Sequence, residues 1–291
     1  MSELEIQNPN LPVTVQFEMH GPIFENGLPI PLTIKTLESV QGIVDRSFLV
    51  LANKIKLSSA DRAQFFLRSR DIHHSSLRTD LELIFAIAQP ILPFISNLGP
   101  TGVWEYTKQS FEFLKLIFAA QKEGQPIQIK NNGDGNTFQV VTGGQTNVYN
   151  GPVFNIAAGA LPHYENLTRQ LASDRVNDIR LGQGDRRDIA FTLSDAELFH
   201  LPSTIEEQII PVSCEVFEFD KYDGSGRLSV FPDQPISKGE YKFSVVGDQD
   251  LTEYIESMKH SQVVVTCLKE TVDHPLFGSK IVSLQVTNVR T

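Results

Sequence analysis

The chain has 291 residues, of which 41% are hydrophobic and 21% charged. This is an ordinary globular composition, and the length suits two or three small domains better than a single core. The formal net charge is −10, and residues 205–291 alone carry −6, from 8 basic and 14 acidic side chains. Phosphate backbones are bound through clusters of Lys and Arg, so this charge distribution disfavours nucleic acid as a partner.

The N-terminal sequence and the hydropathy of the chain bear on its location. The first ten residues, MSELEIQNPN, contain two acids and lack the basic segment of a secretory signal. The sequence also lacks a window of about 18 apolar residues, the length that a membrane span requires. We therefore expect a cytoplasmic protein that is not inserted in a membrane.

Residues 1–125 predict an N-terminal α+β sandwich domain. Its elements show in alternating apolar residues, in apolar residues at helical spacing and in turn residues between them. The patterns predict, in chain order, a hairpin over 13–34, a helix over 35–52, strands over 66–70 and 77–83, and helices over 86–98 and 102–122. Gly124 follows the last helix at the position of a glycine cap.

Residues 126–158 form a Gly/Asn-rich stretch in which Val, Ile, Phe and Tyr recur between tight-turn sequences. This pattern predicts a connector of short β-strands over 127–156, because a flexible linker would lack the recurring apolar residues. Strands this short cannot build a core alone, so they must pair with a neighbouring sheet or with another copy of the chain. The predicted assembly residues are Phe138, Val140, Val148, Tyr149 and Phe154.

Residues 159–204 read as a helical segment. Leu167, Leu171, Val176 and Ile179 are spaced for a helix over 162–181, with Pro162 in its first turn. A second, short helix is predicted over 192–199, with Ser194 as its cap.

Residues 205–291 predict a small five-stranded β-barrel. Five strand-like runs occur, and a short helix over 250–258 separates the third from the fourth. In the first run the apolar positions change from even to odd after Val216, which is the effect of a bulge in a strand that bends. Three strands, a helix and two further strands is the order of an OB-like barrel.

The two cysteines, Cys214 and Cys267, lie in separate strand-like runs of this barrel. A disulfide between them is one interpretation, and two buried free thiols is the favoured one, because the sequence has no cysteine framework. No cofactor and no metal are predicted.

Two short clusters were weighed as sites. Residues 71–80 (DIHHSSLRTD) could hold a metal or a catalytic histidine, but His73 and His74 would point to opposite faces of a strand, so a turn is favoured. Residues 220–227 (DKYDGSGR) have the wrong spacing for a calcium loop, and a hairpin turn is favoured there too.

The most basic short run is RLGQGDRRD, residues 180–188. Arg180, Arg186 and Arg187 are candidate ligands for a phosphate or a carboxylate, although the run lacks the ending of a P-loop. The alternative is a solvated turn in which Arg186 and Arg187 pair with Asp185 and Asp188.

Several segments, among them GLPIPLTIKTLESVQGIVDRSF, SSLRTDLEL and IIPVSCEVFEFDKYDGSGRLSVF, resemble those of a group of uncharacterised bacterial proteins. The resemblance implies an N-terminal α+β domain joined to a C-terminal five-stranded barrel over nearly the whole chain. It also implies an accessory role in mobile elements or defence islands, and it assigns no functional residues.

Three hypotheses of function follow from the sequence. The first is a non-enzymatic scaffold that assembles with itself or with a protein partner through the central β stretch. The alternative is nucleotide or oligonucleotide binding by the barrel, with Phe231, Tyr241 and Phe243 available for stacking on bases. The third is a hydrolase that uses His73 or His74.

Overall fold

A computed structural model describes residues 13–73, 77–85, 99–131 and 137–290 of the chain. The fold is mixed α+β, as the sequence predicted, and it divides into two compact units between His200 and Leu201. The boundary predicted between residues 204 and 205 lies close to this division. The boundary predicted at residue 158 falls inside a helix.

The first unit contains both strands and helices. Its described strands are β1 (Val13–His20), β2 (Phe65–His73), β3 (Leu77–Phe85), β4 (Ile127–Asn131), β5 (Thr137–Thr142), β6 (Gln145–Asn150), β7 (Asp178–Gly182) and β8 (Ile189–Thr192). Its described helices are α1 (Ile30–Leu51), α2 (Ser59–Gln64), α3 (Gly99–Lys122) and α4 (Gly151–Thr168).

Five of these strands form an antiparallel sheet in the order β2-β3-β1-β7-β8. The central strand, β1, alternates strictly: Val13, Val15, Phe17 and Met19 are buried, and the residues between them are not. Because successive side chains point to opposite faces of a sheet, this alternation gives the sheet one apolar and one polar face.

The helices α1, α3 and α4 pack against one another in the first unit. Ser47 on α1 and Thr107 on α3 share a buried hydrogen bond of 2.7 Å between their hydroxyls. Aromatic rings fill the space beside α3, where the ring of Phe111 lies 5.0 Å from that of Phe191 and 5.6 Å from that of Tyr164. These rings are fully or almost fully buried, so they form the centre of the core.

The hairpin predicted over residues 13–34 is wrong. β1 pairs with β3 on one side and β7 on the other, and the chain after β1 makes a 3₁₀ turn at Pro22–Phe24 and enters α1 at Ile30. The two prolines around Ile30 suit a helix start, because a proline in the first turn loses no hydrogen bond. The helix therefore begins five residues before the predicted start at residue 35.

The strands predicted over 66–70 and 77–83 are confirmed as β2 and β3, and the helix predicted over 102–122 is confirmed as α3. The backbone leaves α3 through Gly124, whose φ of 67° is left-handed, as a glycine cap requires. The helix predicted over 86–98 lies outside the described residues.

The structure differs from the prediction in the Gly/Asn-rich connector, residues 126–158, and in the helical segment that follows it, residues 159–204. Short strands are present as predicted, but residues 151–156 begin α4 and are not a strand, and Pro162 lies inside this helix and not in its first turn. Pro152 occupies the first turn. The helix predicted over 162–181 is therefore wrong in position: it ends at Thr168, and Ile179 belongs to β7.

The short helix predicted over 192–199 is reduced to a 3₁₀ turn, Leu193–Asp195. Its cap is Thr192 and not Ser194: the Asp195 carboxylate accepts hydrogen bonds from both the backbone N–H and the hydroxyl of Thr192. Ser194 also has an acid three residues after it, Glu197, so the capping-box spacing alone does not distinguish the two caps.

The second unit is the barrel. Its strands in the described residues are β9 (Thr204–Ile205), β10 (Ile210–Asp220), β11 (Ser225–Val230), β12 (Gly239–Val245), β13 (Val263–His274) and β14 (Gly278–Arg290), and its helix is α5 (Leu251–Ser257).

The strands β10 to β14 close into a five-stranded barrel in the order β10-β11-β12-β14-β13, with β13 pairing back onto β10. The pair β12–β14 is parallel and the other pairs are antiparallel. A register shift lies in β10 between Val216 and Glu218, which confirms the bulge predicted there. The five-stranded barrel and its inserted helix are thus as predicted.

Cys214 and Cys267 are free, buried thiols inside the barrel. Burial raises the pKa of the Cys214 thiol to about 12 and that of the Cys267 thiol to about 11. The favoured interpretation of the two cysteines is therefore confirmed.

Within the described ranges, the helices are too short or too polar to cross a membrane.

Candidate functional site

The Gly/Asn-rich stretch folds into a three-stranded antiparallel sheet in the order β4-β5-β6. Gly143 and Gly144 connect β5 to β6 with φ angles of 53° and 82°. Positive φ at both central residues defines a type I′ turn, the tightest hairpin connection, and glycine adopts it without strain. This turn fixes the pairing of Thr142 with Gln145 and of every pair beyond it.

The inner face of this sheet packs on its own chain. Val140 is 0% exposed, the ring of Phe138 stacks 5.4 Å from that of Phe154 on α4, and the ring of Tyr149 lies 5.2 Å from that of Phe113 on α3. Burial also raises the pKa of the Tyr149 hydroxyl. Four of the five predicted assembly residues, Phe138, Val140, Tyr149 and Phe154, thus contact apolar groups within the first unit.

The fifth predicted residue, Val148, lies on the opposite face of the sheet and is 62% exposed. It pairs across the ladder with Gln139, while Thr146, its neighbour along β6, pairs with Val141. On β5 and β6 the outer face therefore carries two valines among uncharged polar side chains, and Lys130 of β4 lies on the same face beside Gln139. No apolar surface of the described chain covers Val148.

The outer edge of β6, meaning the side of its backbone away from β5, is the unusual feature of this sheet. In a two-residue hairpin the residues beside the turn form a hydrogen-bonded pair, and bonding then alternates along the strand. Gln145, Asn147 and Tyr149 therefore bond to β5. Thr146 and Val148 direct their backbone N–H and C=O groups outward. Asn150 directs its N–H outward, while its C=O, as that of the N-cap residue of α4, accepts the first hydrogen bond of the helix.

No strand among the described residues pairs with these outward groups. β6 reads QTNVYN and carries no charge and no proline, whereas β4, at the opposite edge, carries Lys130. Natural sheets protect exposed edges with charges, prolines or bulges, because an unprotected edge accepts another strand. β6 lacks all three, so its outer edge is suited to strand addition.

The three arginines predicted as anion ligands have different environments. Arg180 lies on β7, with its Nε 2.7 Å from a carboxylate oxygen of Asp178. Arg186 donates to the side-chain oxygen of Gln183 at 2.8 Å, and Arg187 is exposed. The pairing expected for Asp188 is not found, because this carboxylate accepts a hydrogen bond of 3.1 Å from the indole N–H of Trp104.

The aromatic residues predicted to stack on bases are largely internal. Phe243 is 1% exposed and lies with its ring 6.0 Å from those of Phe219 and Tyr254 in the barrel core, so it is a core residue and not a surface one. The Tyr241 hydroxyl donates to the carbonyl of Ser237, and its ring packs against the same core. Phe231 is half-buried at the end of β11.

Other aromatic residues are exposed on the barrel, and sequence reasoning missed them. These are Phe217, Tyr222 and Phe277, and a cationic side chain lies over each ring. The distance from the charged group to the ring centre is 5.5 Å for Arg227 over Phe217, 5.1 Å for Lys221 over Tyr222, and 3.8 Å for Lys280 over Phe277. A signal was available, because Phe217 stands at the change of phase in β10 and the other two rings stand in hairpin turns.

The segment 220–227 is a hairpin turn held by its own acids. Asp220 accepts a hydrogen bond from the backbone N–H of Tyr222, and Asp223 accepts two from Ser225. In the other cluster, His74 and the side chain of His73 lie outside the described residues. Among the side chains that are described, no group of three or more His, Cys, Asp or Glu is arranged to hold a metal ion.

A cleft of about 240 Å³ lies at the end of α4 in the first unit. Glu165 lines it, and burial raises the pKa of this carboxyl, while Arg169 and His200 act in the opposite direction. Arg169 lies 3.5 Å from the Glu165 carboxylate, so the half-buried acid has a cationic partner within the chain.

Comparisons of this chain with models of protein families, with curated proteins and with solved structures find no match.

Proposed function

We propose that this chain is a non-enzymatic, cytoplasmic bacterial scaffold protein that assembles with itself or with a protein partner by strand addition at the outer edge of β6. The observation that carries the proposal is the combination of outward backbone groups with a strand free of charge and proline. Strand addition satisfies such groups with main-chain hydrogen bonds, and the side chains beside them provide specificity.

The exposure of Val148 supports the same surface. A β-branched residue suits a sheet, and an apolar side chain at the edge gains from burial when a strand is added. Phe138, Val140, Tyr149 and Phe154 anchor the sheet to the first unit, so the edge is held rigidly in front of an incoming strand.

Light scattering across a range of protein concentrations tests this function with matched variants. Val148→Asp places a charge on the outer face beside the edge, so we expect it to lower the mass of the assembly toward that of a monomer. Its own fold should tolerate the change, because Val148 makes few contacts within the chain. Ile55→Asp is the control, since Ile55 is 95% exposed and lies far from β6 in sequence.

Equal masses for the wild type and both variants would exclude the β6 edge as the assembly surface. Circular dichroism of each variant shows whether the fold is retained, so that a loss of mass is not confused with unfolding.

A second candidate function is ligand binding by the barrel, which we propose to be of the OB type. Its strand order, its parallel β12–β14 pair and its helix between the third and fourth strands support this assignment. OB barrels bind ligands on the face of their second and third strands and on the loops beside it. Tyr222 and Phe277 stand in the two corresponding loops, and Phe217 stands beside β11.

The charges nearby argue against a polyanion as this ligand. Arg227, the cation above Phe217, is also 2.8 Å from Glu240 and 3.8 Å from Glu218. Fluorescence anisotropy with labelled single-stranded DNA and RNA at low salt tests the candidate. Binding that Tyr222→Ala and Phe277→Ala both weaken would support it, and no change in anisotropy would remove nucleic acid as a ligand.

The proposed context in a mobile element or a defence island rests on the resemblance of the sequence. A gene for a nuclease, an NADase or a nucleotide cyclase beside this one would support that context.

A further inference from the structure

We propose that the strand added to β6 is β6 of a second copy of this chain, paired antiparallel about a twofold axis close to Val148. This inference rests on the proposed function, and it specifies the partner and the geometry. The resulting structure is a continuous six-stranded sheet in the order β4-β5-β6, followed by β6-β5-β4 of the second copy.

The absence of charge on β6 favours an identical partner. When a strand pairs with itself about a twofold axis, the residue on the axis lies opposite its own copy, so a charge at that position would be destabilising. An edge that recognises a different protein can use complementary charge, and β6 offers none within Gln145–Asn150. The composition of this edge therefore suits self-pairing better than recognition of a charged segment.

The hydrogen-bonding pattern of β6 favours an axis close to Val148. Only Thr146, Val148 and Asn150 direct backbone groups outward, so these residues must pair with one another across the interface. With the axis at Val148, this residue meets its own copy and Thr146 meets Asn150 of the other chain. All three outward residues then lie opposite another outward residue. If one copy is moved by two residues along the strand, one of the three has no partner within β6.

A parallel arrangement does not satisfy the same groups. In a parallel pair, each bonding residue of one strand lies opposite a residue of the other strand, and it forms its hydrogen bonds with the residues just before and just after that one. In register, those residues of β6 are Gln145, Asn147 and Tyr149, whose backbone groups already bond to β5. The twofold antiparallel pair therefore satisfies more of the outward groups of β6 than the parallel pair in register does.

The side chains at the axis are compatible with this pairing. The two copies of Val148 lie side by side on the outer face, and the β-branched Thr146 lies beside them. A six-residue edge forms few ladder bonds, so we expect a dimer that dissociates on dilution and not a permanent one.

Distance measurement between spin labels tests the geometry. Gln128 is exposed on β4 and lies in the same row as Val141 and Thr146. Adjacent strands are about 4.8 Å apart and residues along a strand about 3.4 Å apart, so labels on the two copies of Gln128→Cys should lie about 28 Å apart. The native thiols should not be labelled, because Cys214 and Cys267 are buried.

The same labelled protein with Val148→Asp is the matched control. We expect one narrow distance close to about 28 Å in the first protein and its loss in the second. A dimer that Val148→Asp dissociates but that gives a clearly different distance would overturn the antiparallel pairing and leave assembly at the sheet intact. A chain that remains monomeric at all concentrations would overturn this inference together with self-assembly.

Discussion

At the scale of single residues, the contact between Gly42 and His163 explains two unusual positions at once. Gly42 is buried in the interior of α1, where glycine is unfavourable. A Cβ at this position would lie 2.2 Å from Cε1 of His163 on α4, so the glycine makes room for the imidazole ring. The sequence could indicate that both residues lie on helices, but it could not reveal this contact, because the two positions are far apart along the chain.

The stability of the first unit should fall below about pH 6.5 because of His163. Burial, and then the nearby Arg46, lower the pKa of this histidine in the folded chain, although Asp45 acts in the opposite direction. Between the unfolded pKa of about 6.5 and the lower folded pKa, the unfolded chain binds a proton that the folded chain does not, so folding weakens as the pH falls.

Urea unfolding at a series of pH values from 7.5 to 5.0, chosen to span roughly the unperturbed histidine pKa, measures this effect. His163→Gln cannot be protonated and should show a smaller loss of stability over the same series. Equal losses in the two proteins would contradict the role of His163.

At the scale of elements, local patterns predicted types of structure better than partners and boundaries. The pattern of β1 was readable, but its pairing with β3 and β7 depends on contacts between distant parts of the chain. Residues 151–156 do carry a helical signal in the sequence. Val153, Ile156, Ala157 and Ala160 are buried with helical spacing, and Pro152 suits a first turn.

The hairpin between β5 and β6 should depend on Gly144. Its φ of 82° lies in the left-handed region, which costs a residue with a Cβ roughly 1–2 kcal/mol, and no other atom lies within 4 Å of the position of a Cβ. Gly144→Ala should therefore weaken the hairpin through backbone strain alone. Faster amide hydrogen exchange in residues 137–150 would report this.

Gly239→Ala is the control for that substitution. Gly239 does not have a positive φ, and a Cβ there would lie 3.8 Å from the ring of Tyr241, an ordinary contact. Protection of residues 137–150 should not change in this variant. If Gly144→Ala also leaves it unchanged, the turn does not require glycine.

At the scale of the whole molecule, the barrel was the part of the fold that the sequence predicted best. The five strand-like runs, the inserted helix and the bulge predicted the barrel, because short antiparallel strands joined by tight turns carry their signals locally. The candidate site was harder to predict. The sequence identified five assembly residues but not their faces: the register of β5 and β6 places Val148 on the face opposite to Phe138, Val140 and Tyr149, and Phe154 lies on α4.

The barrel should fold as an isolated fragment of residues 201–291. It forms a compact unit with its own core, which includes Val212, Leu228, Phe243 and Tyr254. The two cysteines report its folding, because a thiol whose pKa is raised to about 12 or about 11 is almost never a thiolate at neutral pH.

We expect the fragment to show a cooperative thermal transition by circular dichroism, with both thiols unreactive toward a thiol reagent below the transition and reactive above it. Rapid modification of either thiol at low temperature would show that the barrel needs the first unit in order to fold.

Lys130 sets a limit on how far the proposed sheet can grow. Pairing through β6 uses the same edge of both copies, so the interface closes on itself and leaves no second β6 exposed. The two ends of the six-stranded sheet are then β4 strands, each carrying a lysine on a side chain exposed to solvent. A charged side chain on an edge strand disfavours the pairing of further strands with that edge, which is the step that leads to fibrils. If the proposed pairing forms, one edge without charge and one edge with a lysine in the same small sheet would limit the assembly to two chains and would not extend it into a filament.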